Sequence, residues 1–193
     1  MIKLFSLLIV SILGVNIMAQ SIDLSRGDHN TPTGYGIAGS EAPQLSSSIK
    51  WWNEKGELID IPLQLQSKRL YVIYCFQSWC PGCHSHGFPA LKELVNNFGE
   101  NSDIHFLAIQ TVFEGYMSNT EDKALSTQKK YQLEIPFGHD RGNNEKRPTI
   151  MTSYRTGGTP WFIFINRKGE VIYNGFDLDV DKASFYLSNT LQQ

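Results

Sequence analysis

Seven consecutive strand-forming residues, Leu70-Tyr71-Val72-Ile73-Tyr74-Cys75-Phe76, lead through Gln77-Ser78-Trp79 into Cys80-Pro81-Gly82-Cys83. An unbroken apolar run of this length suits a strand buried on both faces. Beyond the cysteines, Ala90 to Phe98 has helical periodicity, and Gly99 is a natural stop. The cysteine pair therefore sits between a buried strand and the start of a helix. Unpaired backbone N–H groups and the helix dipole favour an anion there, so Cys80 is the expected thiolate. Pro81 fits a first helical turn because its missing N–H would have no partner. Two intervening residues let the second thiol reach the first, so attack and release can occur within one loop.

The rest of the chain supplies further strands and helices. Ile49 to Asn53 and Leu58 to Ile61, joined by Glu54-Lys55-Gly56, read as a hairpin, and Ile104 to Gln110 as a second buried strand. Asn119-Thr120-Glu121-Asp122 opens a helix that ends near Lys129-Lys130-Tyr131, with acids and bases placed to suit the dipole. Residues 134–158 read as loop. Trp161 to Asn166 and Glu170 to Asn174 are strands around Arg167-Lys168-Gly169, and Asp179 to Leu191 is a closing helix. The order β-α-β-α-β-β-α predicts an α/β sandwich with a central mixed sheet. No internal repeat is present. An apolar fraction of 41% and an aromatic fraction of 12% suffice for one sizeable core in 193 residues.

The first residues read as an address. Lys3 precedes an apolar stretch from Leu4 to Val15, and Met18-Ala19 leads into polar Gln20, the pattern of a secretory signal peptide over residues 1–19. Uncleaved, the same segment would serve as an anchor, although it falls short of the ~20 apolar residues of a spanning helix. Export implies the periplasm, where disulfides can persist. Ser, Gly, Thr, Pro and Asp enrich the next stretch, so residues 20–40 are expected to form an irregular arm ahead of one domain over residues 41–193. With 17 basic against 19 acidic residues, the chain lacks the basic surplus of a nucleic-acid binder. Three cysteines are too few for a disulfide-dense scaffold. Cys75, within the buried strand, reads as a core residue.

Ala42-Pro43-Gln44-Leu45, then Ser78-Trp79-Cys80-Pro81-Gly82-Cys83, then Gly158-Thr159-Pro160 followed by a hairpin from Phe162 to Tyr173 resemble the thioredoxin superfamily. The resemblance is to its extracytoplasmic TlpA/ResA-like, redoxin (AhpC/TSA-like) group, and it spans residue 41 to the C-terminus. It implies a thioredoxin-like three-layer sandwich with an N-terminal hairpin. It also implies thiol–disulfide exchange on protein clients, with no cofactor, Cys80 attacking and Cys83 resolving. By the same resemblance Pro160 is a cis-proline facing the cysteines, Thr159 presents backbone to the client, and Trp79 packs on it. The usual direction in this group is reduction of client disulfides, with re-reduction by a membrane electron donor.

Some positions depart from the group's pattern. Pro89 lies six residues after Cys83 where the group usually has proline at five, and Tyr74 stands where thioredoxin carries a buried Asp. His84 and His86 follow the second cysteine where TlpA-like proteins often carry Glu. At four residues from Cys80 and three from Cys83, each histidine could share a helical face with a thiol and act as an acid/base group. Other chemistries use the same residues. Cys80-Pro81-Gly82-Cys83-His84 also spells a c-type haem attachment signature. Cys80, Cys83, His84 and His86 could hold zinc or copper, making the chain a metal-binding or chaperone module. A thiol peroxidase would need a Pro-x-x-x-Thr-x-x-Cys loop, which residues 74–79 do not supply.

Overall fold

The computed structural model describes residues 21–26, 34–62, 69–142 and 147–192. The signal segment expected over residues 1–19 lies outside them.

Seven strands form one mixed sheet: β1 (Lys50–Trp52), β2 (Leu58–Ile59), β3 (Leu70–Phe76), β4 (Ile104–Thr111), β5 (Phe137–Asp140), β6 (Trp161–Ile165) and β7 (Val171–Gly175), in the order β2-β1-β5-β4-β3-β6-β7. The inner strands β5, β4 and β3 run parallel, and the flanking pairs are antiparallel. Four helices join them: α1 (Phe88–Phe98), α2 (Glu121–Tyr131), α3 (Thr149–Ser153) and α4 (Val180–Leu191). Every residue of central β3 is buried. Val72, Tyr74 and Phe76 face a core with Leu91 and Leu94 of α1 and Leu187 of α4, while Tyr71, Ile73 and Cys75 face Trp51, Ile150 and Met151 on the other side. This is the period-two alternation of a strand with both faces covered.

One expectation is corrected. Residues 134–158 are not all loop, since β5 and α3 lie within them. Phe137-Gly138-His139-Asp140 is short and polar enough to read as a turn. In the sheet its buried polar groups are answered by tertiary partners: His139 Nδ1 bonds Gln110 Oε1 at 2.6 Å, and Asp140 accepts from Thr149 Oγ1 and the Ile150 N–H, each at 2.8 Å. Gly138 is required because a Cβ there would stand 2.9 Å from the Trp51 ring. Helical backbone after the cysteines begins well before Ala90, with a π-turn over Cys83–Gly87 that runs into α1. The described parts of residues 20–40 are docked on the sheet. Gly39 N–H donates to Val171 O, Val171 N–H to Ser40 O and Ile22 N–H to Ile172 O, which lays the N-terminal segment along β7.

Candidate active site

At the end of β3 the chain turns sharply, and the Cys80 N–H donates to Gln77 O at 3.1 Å. The turn brings Cys80 to the rim, 8% exposed, with Cys83 beneath it, wholly buried. The Cys83 N–H is one of the donors that a helix start leaves without a backbone partner, and it points at Cys80 Sγ, 3.3 Å away. Cys80 Sγ in turn lies 3.6 Å from Thr159 O. Burial, above all, pushes the Cys83 thiol up to about 12, and Cys80 beside it adds to the rise; a backbone contact from Gln77 and a side-chain contact from Thr159 pull the other way. The two thiols are thus unequal. One is reachable and backed by an N–H donor, and the other is held protonated in the interior. No disulfide links them.

The Thr159–Pro160 peptide is cis. Its ring packs over the turn between the cysteines, where a Cβ on Gly82 would meet Pro160 Cδ at 3.3 Å. Cys80, Cys83, Thr159 and Pro160, more than 75 residues apart in sequence, therefore form one constellation. Trp79 is 47% exposed and leans on the loop after β4, where a Cβ on Gly115 would stand 2.9 Å from its Nε1. It forms an apolar shoulder to the site.

The histidines are placed differently from what their spacing suggests. Neither hydrogen-bonds a thiol. His84 sends Nε2 to Ser78 O and Nδ1 to the Tyr131 hydroxyl, both at 2.7 Å, and stacks on Phe88 and Tyr131. A carbonyl only accepts, so Nε2 carries a hydrogen there. Both nitrogens that could ligate haem iron or copper are thus engaged by the protein. His86 is exposed and bonds Ser85 Oγ. Among the described residues, no group of three His, Cys, Asp or Glu side chains converges as a metal ion requires. Cys75 lies on the opposite sheet face, with burial raising its thiol far above the ordinary range.

Several supporting residues carry no sequence signal. Buried Asn119 accepts the Ser78 N–H at 2.8 Å while its amide donates to Glu114 O at 3.1 Å and Gly115 O at 3.3 Å, tying the cysteine turn to the loop beneath Trp79. Gln110 donates to Ser78 Oγ from β4. From below, the buried Tyr74 hydroxyl donates to Cys83 O at 3.1 Å. The sequence marked Tyr74 as a departure from a family pattern, and Asn119 and Gln110 only as the start of a helix and the end of a strand.

With this geometry in hand, the comparisons converge. A family model described as Redoxin matches residues 37–185. A solved thioredoxin-like superfamily protein is 26% identical, with 80% of this chain and 97% of that one aligned and a TM-score of 0.70. A thiol-disulfide isomerase from Corynebacterium glutamicum is 24% identical over 79% of this chain and 97% of that one, TM-score 0.67. A thiol-disulfide oxidoreductase from Bacteroides fragilis shares the fold at 17% identity over 77% and 99% of the two chains, TM-score 0.57. No curated protein sequence matches the chain.

Proposed function

The chain belongs to the Redoxin family, and from that premise we propose that it is an extracytoplasmic thiol–disulfide oxidoreductase of the TlpA/ResA-like type, reducing protein disulfides through Cys80 and Cys83. The observation that carries this reading is the inequality of the two thiols, with Cys80 at the rim accepting the Cys83 N–H and Cys83 buried below.

The chemistry follows from that inequality. Cys80 thiolate attacks one sulfur of a client disulfide, forming a mixed disulfide and releasing the other client sulfur as a thiolate. Cys83 then loses its proton and attacks Cys80 Sγ. The Cys80–Cys83 bond forms, the Cys80–client bond breaks, and the departing client thiolate takes up a proton. Two electrons pass to the client. Thr159 offers backbone to an extended client segment, and Trp79 offers it apolar surface. Pro81 and Gly82 add no charge that would strongly stabilise a thiolate, which favours the reducing direction and a membrane electron donor that restores the dithiol. The export pattern of residues 1–19 supports a periplasmic location; among the described residues no helix is long and apolar enough to cross a membrane.

Thiol trapping tests the reading. Cys80→Ser is expected to abolish exchange, and Cys83→Ser to accumulate a client as a mixed disulfide. Absence of any trapped client in the periplasm would falsify the proposal. The couple's reduction potential sets the direction: a value near about −270 mV marks a reductant, one near about −120 mV an oxidant.

A further inference from the structure

Tyr74 rises from β3 directly beneath Cys83. Its ring is clamped by Phe162 at 4.7 Å, Phe88 at 5.0 Å and Phe76 at 6.0 Å between centroids, so its hydroxyl can aim in few directions. The hydroxyl occupies space that a missing side chain leaves open, because a Cβ on Gly87 would stand 2.1 Å from it. In the resting dithiol it donates to Cys83 O. That carbonyl is also the acceptor of the Phe88 N–H that closes the π-turn, so it keeps a partner if the tyrosine turns away. The Cys83 thiol, a side chain of that same residue, adds to the burial that holds the hydroxyl protonated.

We propose that the Tyr74 O–H swings from the Cys83 carbonyl to Cys83 Sγ as the thiolate forms, making Tyr74 the buried donor that stabilises the resolving thiolate. The inference rests on the exchange reading above and assigns a group to its second step. Tyr74 keeps its own proton throughout. Burial, with the neighbouring thiols, raises its hydroxyl well above the ordinary range, so it acts as a donor and not as a base. The Cys83 proton passes to the client thiolate released in the first step, before Cys83 attacks, and the second client thiolate is protonated from solvent. The titratable groups around Cys83 are Cys80 in its own turn, Tyr74 from β3 and Tyr131 from α2, with Cys75 acting from the far face of the sheet. Of these, Tyr74 alone is a hydroxyl already bonded to the Cys83 residue in the interior.

The test separates the two steps. Reduced protein is mixed with a disulfide-bonded peptide, quenched in acid at successive times, and the mixed disulfide is followed by mass spectrometry. Tyr74→Phe should form it within about twofold of the wild-type rate yet resolve it at least about tenfold more slowly, the size of a hydrogen bond to a charged group. Resolution within about twofold of wild type across pH 6 to 9 would overturn the proposal. A second readout is independent of any client. In a Cys80→Ser background, the pH midpoint for alkylation of Cys83 should rise on adding Tyr74→Phe, and an unchanged midpoint also overturns it. Should the parent chain form no mixed disulfide at all, the exchange reading fails, while the alkylation midpoint still judges Tyr74.

Discussion

Gly87 has no side chain because Tyr74 already fills the space. Gly87→Ala drives a methyl to 2.1 Å from a clamped, buried hydroxyl; overpacking of this kind costs about 1–3 kcal/mol, read as a lower urea midpoint. Combining it with Tyr74→Phe should recover part of that loss, since the nearest contact goes with the hydroxyl while the ring carbons at 2.7 and 2.8 Å remain; strictly additive effects would refute a shared space. At this scale the cysteine pair was legible because its spacing is local and its chemistry depends on spacing. The histidines misled for a related reason. Residues three and four apart share a face of an α-helix, but both His84 ring nitrogens are taken by Ser78 O and the Tyr131 hydroxyl, and His86 bonds Ser85 Oγ. Asn119 gave no signal because the Ser78 N–H it holds lies 41 residues away.

The π-turn explains the displaced proline. One residue more than the family spacing separates Cys83 from Pro89, and a π-turn is how a helix absorbs a single extra residue. Pro89 lies where the π-turn passes into α1. The long apolar elements, β3 and β4, announced themselves by continuous hydrophobicity. β5 did not, because half of its residues are polar groups whose partners come from β4 and α3. Between elements, the loop connecting β4 to α2 is secured to the cysteine turn through one side chain. Asn119→Ala strands the Ser78 N–H and should cost about 1–3 kcal/mol of stability. Because the same bond sets the turn before Cys80, client reduction should slow along with it. Normal single-turnover kinetics in this variant would show that the turn holds its shape unaided.

Across the molecule, buried titratable groups set the pH range of the fold. Burial raises the thiols of Cys83 and Cys75 and the hydroxyls of Tyr74, Tyr154 and Tyr173, so each holds its proton more firmly folded than unfolded. Their contribution is complete below the unfolded thiol range near about 8.5 and is lost as pH rises from there toward the folded values, the thiols first and the tyrosines from about 10. His139 and His105 are shifted the other way, chiefly by burial, so the contribution of their neutral rings is present above about 6.5 and is lost as pH falls. Urea midpoints of the reduced protein should therefore form a plateau between about pH 6.5 and 8.5. A midpoint still climbing beyond pH 9.5 would contradict this balance.

The segment along β7 has a consequence of its own. An open sheet invites growth at its edges, where unpaired N–H and C=O groups can recruit a strand from another molecule. Here one margin is occupied by the chain's own Gly39, Ser40 and Ile22, and the opposite margin is a strand of two residues, Leu58–Ile59. Sealed at one side and blunted at the other, the sheet offers among the described residues no long template for stacking copy upon copy.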